Sequence, residues 1–157
     1  MITLMLNQND IPSLTSFDGN IDPDKLKPYI YQAQKHDVKR ILGKELYDKI
    51  YADYVDDSLT DEYKEIYDEY IIDMLVYFSC AKYTEFGGYR TANNGITKPT
   101  QAVNYEEVRI LIARYEQLGK SVENAFLEHM KSLDTDLIPE YKDDRENRST
   151  NKVIPWF

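Results

Sequence analysis

The chain has one cysteine, Cys80, so no internal disulfide can form and an intracellular origin is expected. No apolar run approaches the ~20 residues that span a bilayer. The opening MITLML has neither a basic flank nor a long enough apolar core for a signal peptide. Basic residues are scarce, 19 Lys and Arg against 28 Asp and Glu for a formal net charge of −9. That balance argues against a grip on nucleic acid, which needs clustered cations. Histidine is limited to His36 and His129, and Ala33 and Phe126 stand three residues before them, so the Glu-x-x-His pairs of a di-metal bundle are missing. There is no Gly-x-Ser-x-Gly elbow, and Gly87-Gly88 leads into Tyr-Arg rather than a phosphate loop. The acidic residues Asp53, Asp56, Asp57, Asp61 and Glu62 lack the spacing and glycine of a calcium loop, which makes them a solvated face. Cys80 falls in an apolar helix and reads as a small buried hydrophobe. No catalytic, metal or cofactor residue is assigned, and an enzyme is not expected.

Helices dominate what is present. A chain of 157 residues is most simply one domain, able to bury about two thirds of its unfolded surface. In residues 21–50, IDPDKLKPYIYQAQKHDVKRILGKELYDKI, Asp22 suits an N-cap and Pro23 a first helical turn. Leu26, Ile30, Ala33 and Ile41 share one face, with Asp37 in the stripe, where a salt bridge or hydrogen bond at a packing seam is expected. Gly43 ends this helix in a left-handed conformation, and residues 44–54 restart as a shorter one.

A turn over 56–60 places Thr60 as the cap of a helix reaching about Glu85, with Tyr63, Tyr67, Tyr70, Met74, Phe78 and Ala81 as its stripe. The last long helix starts near Asn104, which has Glu107 at capping-box spacing. Its stripe is Val108, Leu111, Ile112, Tyr115, Leu118, Val122 and Phe126. Gly119 lies on the same face, where a closely approaching backbone would explain a mid-helix glycine. Fourteen tyrosines suit both core and interface packing.

The expected fold is mainly α: a small antiparallel bundle over residues 21–130, an N-terminal arm over 1–20 and an extended C-terminal arm over 131–157. Residues 87–103, GGYRTANNGITKPTQAV, are longer than a usual helix–helix connection. Asn94-Gly95 is a type I′ turn signal, and residues 89–92 and 96–98 could pair as a hairpin. Tyr89, Arg90, Asn93, Asn94, Gly95, Ile96 and Lys98 are then candidates for an inter-subunit or channel contact, with a mobile surface loop as the other reading. The polar tail ends in Val153, Ile154, Pro155, Trp156 and Phe157, which carry the sole tryptophan. Exposed Trp and Phe imply docking, on another chain or on the chain's own body.

The first of these helices with Ala33-Gln34, Ile41-Leu42-Gly43, the Leu46-Tyr47 helix and LTDEYKEIYDEYIIDMLVYF resemble the small head–tail connector proteins of tailed bacteriophages, in particular the version in crAss-like phages. The likeness covers roughly residues 20–130. It implies a helical bundle repeated as a ring, usually a dodecamer, below the portal protein. Such a ring extends the DNA channel and receives the next tail component, with loop and arm reaching beyond the protomer. The expected partners are therefore further copies of the chain, the portal and other tail proteins, in the virion and without a membrane. Acidic charge would suit a lumen past which DNA slides without sticking. A head-closure or tail-completion protein and a small cytosolic acidic binding module are the alternatives.

Overall fold

The computed structural model describes residues 2–15, 22–87, 90–92, 95–97, 104–134 and 136–142. The architecture is mainly α, as expected. Five helices follow one another: α1 (Ile11–Leu14), α2 (27–42), α3 (Lys44–Val55), α4 (61–86) and α5 (Tyr105–Ser132). Strands β1 (Arg90–Ala92) and β2 (Gly95–Thr97) lie between α4 and α5 and pair antiparallel, Arg90 opposite Thr97 and Ala92 opposite Gly95. The pairing differs by one residue from the expected turn, since Gly95 belongs to β2. Tyr89, Asn93, Asn94 and Lys98 lie outside the described residues.

Local chemistry sets the helix ends. The Asp22 carboxylate accepts from Asp24 N–H at 3.1 Å, and Pro23 opens a 3₁₀ turn, Pro23–Leu26, leading into α2. Gly43 separates α2 from α3 with φ 81° and ψ 161°. That is not the expected left-handed helical conformation but an extended region open almost only to glycine. At the end of α3, Ser58 N–H reaches Asp53 O at 2.8 Å and Asp57 N–H reaches Tyr54 O at 3.3 Å, with Asp57 at φ 52°. This is a Schellman closure with an aspartate where glycine is usual. Thr60 takes the N-cap position of α4 but makes no side-chain cap hydrogen bond, and Asp61 follows at φ 49°. Asn104 caps α5 by accepting from Glu106 N–H at 3.3 Å.

Two long helices each contain one wide turn. In α2 the Lys39 N–H donates to Gln34 O, and in α4 the Ile72 N–H donates to Tyr67 O, both five residues back. Each π turn inserts one residue and rephases the helix face. Ala33 and Val38, five apart, are therefore both fully buried, as are Ile66 and Ile71. The stripe continues at Val38, and Asp37, for which a salt bridge or hydrogen bond at a packing seam is expected, lies 2.8 Å from Lys82 Nζ at the seam. In α4 the expected tyrosine stripe is corrected in the same way. Ile66 and Ile71 enter the core, while Tyr63, Tyr67 and Tyr70 are half-buried around it.

Helices α4 and α5 form the central antiparallel pair. Tyr70 meets Phe126 (ring centroids 5.8 Å apart) at one level and Phe78 meets Gly119 at another. A Cβ on Gly119 would stand 2.6 Å from the Phe78 ring, so the close neighbour is an aromatic side chain and not the backbone expected. The three buried polar side chains among the described residues are accounted for. Gln34 is hydrogen-bonded to the N-terminal segment, Ser79 Oγ donates to the Leu75 carbonyl, and Glu123 pairs with Arg40.

The start of the chain belongs to the body. Residues 1–20 were expected as an arm, yet Met5, Leu6 and Ile11 are in the core. Gln34 holds this segment as a neighbouring strand would: Met5 N–H donates to Gln34 Oε1 (2.8 Å) and Gln34 Nε2 donates to Thr3 O (3.2 Å). Tyr67 Oη donates to Met5 O at 2.7 Å and Tyr51 Oη accepts from Thr3 N–H at 3.1 Å. Backbone polar groups that enter an interior need such partners. The beginning of the expected C-terminal arm also folds back, with Ile138 in the core and Tyr141 edge-on to Phe126.

Candidate functional site

The described residues contain no group of three His, Cys, Asp or Glu placed to hold a metal ion. One cavity of about 390 Å³ lies where residues 53–59 meet the N-terminal segment, lined by Thr3, Asp53, Tyr54, Asp57, Lys64 and Tyr67 among others. Three of its polar groups are engaged in the fold itself. Asp53 pairs with Lys49 at 2.7 Å, Lys64 with Asp68 at 2.8 Å, and Tyr67 with Met5 O. Burial raises the Tyr67 phenol further above its ordinary range. Groups with these occupations anchor a wall and do not converge on a ligand.

The other titratable residues also read as structure. Cys80 is fully buried, and burial pushes its thiol up to about 12, far from a reactive thiolate. Tyr63 is pushed up to about 12, first by burial and then by donating to Glu140 Oε2 at 2.7 Å. Lys44, 2.6 Å away, holds the Asp48 carboxyl below its usual range. His36 is exposed, and His129 packs against Tyr70 with ring centroids 5.3 Å apart and the planes tilted by 37°.

Interaction surface is the richer feature. The contact of Phe78 with Gly119 fixes the register of the antiparallel pair, and continuing it brings Phe86 level with Leu111. At that level α4 ends, while α5 continues toward its N-terminus. Phe86, the last residue of α4, is 51% exposed and Tyr105, the first of α5, is 63% exposed. Along the same half of α5, Ile110 is 68%, Leu111 43% and Leu118 38% exposed. The stripe read from the sequence thus meets the core at Tyr115, Val122 and Phe126. At Leu111 and Leu118 it is open to solvent, because α4 ends too early or lies to one side.

The structural residues singled out from the sequence are dispersed. Asp22, Gly43 and Gly119 act separately at a helix start, a corner and a helix crossing, and Asp37 lies at the seam between α2 and α4. Arg90, Gly95 and Ile96 are brought together by the hairpin. Val153, Ile154, Pro155, Trp156 and Phe157 lie outside the described residues. Sequence reasoning missed Gln34, whose only signal is a polar residue beside Ala33 on an apolar face. It also missed Glu123, one position past Val122 in a stripe. Neither residue type identifies its partner, because both partners are far away in sequence.

Among the described residues no helix is long and apolar enough to cross a membrane. No curated protein and no solved structure matches this chain. Residues 38–151 match the model of a family of unknown function, DUF6712, and the chain belongs to that family.

Proposed function

We propose that the protein is a structural virion component, a head–tail connector that assembles as a ring below the portal, extends the DNA channel and docks the next tail protein. Its mechanism is assembly rather than catalysis. The observation that carries this reading is the exposure of Phe86, which ends α4, and of Tyr105, which begins α5. Large aromatic side chains left open to solvent at helix ends favour a protein neighbour. The patterning of residues 20–130 that resembles phage connectors supports the same reading. A net charge of −9 favours a channel wall past which DNA phosphates move without adhering.

The mass of the purified protein, alone and with portal rings, tests this. A closed oligomer, or one formed only when portal is added, supports the connector. A monomer that ignores the portal and binds a host protein supports an acidic binding module instead. Replacing Phe86 and Tyr105 by serine should weaken assembly while leaving the melting of the protomer almost unchanged, since both side chains are more than half exposed.

A further inference from the structure

One face of α5 is complementary to itself. Glu107, Leu111, Arg114 and Leu118 follow at steps of four, three and four, with Ile110 beside Leu111, and all five are exposed. That is the spacing of a seam between two helices. Tyr115 and Gly119 are buried and put the other side of the helix against the body. Glu106 and Arg109 are occupied with each other at 3.9 Å. Glu107 and Arg114 have no ion-pair partner among the described residues.

The order of residues along this stripe decides what fits it. Glu107 and Arg114 are seven residues apart, about 10 Å at the helical rise, and Ile110 and Leu111 lie midway between them. Seven residues nearly complete two turns, so both charges stand on one line of the helix. Against a second α5 running antiparallel, with a two-fold axis passing between Ile110 and Leu111, Glu107 of each copy meets Arg114 of the other. The aliphatic side chains then meet at the axis, and Leu118 comes level with the start of the other α5. A two-fold contact requires this reciprocity, in which one patch serves as both halves of the interface. A parallel alignment would oppose Glu107 to Glu107 and Arg114 to Arg114, so the charges select the antiparallel one. A wholly apolar partner would strip water from both charges and leave them unpaired.

We propose that this face of α5 is a two-fold docking surface for a second copy of the chain, closed by reciprocal Glu107–Arg114 pairs around Ile110 and Leu111. It is separate from the connector ring and does not rest on that reading. A few turns of one helix make a small interface, at the weak end of the range, so the contact is reversible. Sedimentation equilibrium of the full chain should show a monomer passing to a dimer over concentrations of about 10 µM to 1 mM. Leu111→Asp should abolish that rise in mass with the far-UV spectrum unchanged. Glu107→Arg and Arg114→Glu should each weaken the dimer about tenfold, because each opposes like charges twice. Mixing these two variants should restore it. The reversed charge at 107 of one chain then faces the reversed charge at 114 of the other, and the native Arg114 faces the native Glu107. A mass that stays monomeric throughout overturns the proposal, as does association of any size that Leu111→Asp leaves intact. So does a mixture that associates no better than the two variants apart, since an effect of either substitution on its own fold would not be relieved by mixing.

Discussion

Arg40 and Glu123, 83 residues apart, face each other two-on-two, with Nη1 on Oε1 and Nη2 on Oε2 at 3.2 Å each. The carboxylate side chain is only 12% exposed and the guanidinium side chain 55%, so the pair lies at the rim of the α2–α5 contact. Hydrogen bonding to Glu123, more than any other influence, raises the Arg40 pKa. Arg40→Met removes the fork and leaves a nearly buried carboxylate without it. A cost of about 1–2 kcal/mol is expected, between the values for surface and buried pairs. Adding Glu123→Met should recover most of that loss, and urea melts of the four proteins in a double-mutant cycle measure it.

Gly119→Ala sets two effects against each other. Alanine in mid-helix is better than glycine by about 1 kcal/mol, but its Cβ would fall 2.6 Å from Phe78, whose ring is only 6% exposed and has nowhere to swing. Overpacking costs typically about 1–3 kcal/mol, so the net effect should be destabilising. In a Phe78→Leu background the same substitution should become neutral or favourable, as thermal melts would show.

Gln34→Leu keeps the volume but strips partners from Met5 N–H, Thr3 O and Tyr47 Oη. Loss of about 2–4 kcal/mol is expected, as for buried polar groups left unpaired. The local signature is hydrogen exchange at the Met5 amide, which should speed up far more than exchange in α5.

Alkaline pH should loosen the fold through its tyrosines. The Tyr63 phenol is held up to about 12 by burial and by Glu140, and burial raises Tyr67 further. A folded pKa above the unfolded value of about 10 means full stability below pH 10, lost as pH climbs through the folded values. Absorbance at alkaline pH should show ordinary tyrosines ionising near 10. A second group should ionise only together with the loss of helical signal. Tyr63→Phe should shrink that late step.

Helix ends were largely legible because they depend on side chains within a few residues. Asp22 binds Asp24 N–H, Asn104 binds Glu106 N–H, and Gly43 turns a corner that only glycine allows. What is absent from local patterning is the pair of π turns. A one-residue insertion leaves no mark of its own, so Asp37 and the tyrosines of α4 were assigned to a face that Val38, Ile66 and Ile71 occupy. The N-terminal segment was read as an arm because its burial rests on Gln34, Tyr51 and Tyr67, contacts 29 to 62 residues away. The stripe of α5 was legible as a stripe. Whether α4 is long enough to cover it depends on the register set by Phe78 and Gly119.

The last described residues are moored to three helices at once, Lys142 to Glu45 in α3, Glu140 to Tyr63 in α4 and Tyr141 to Phe126 in α5. Tension applied to the tail therefore meets contacts on three helices before it reaches the end of α5. A pull on the tail would be felt in α3, α4 and α5 alike. The anchor would yield stepwise, the exposed Lys142–Glu45 pair first and the Tyr141 and Glu140 contacts after it.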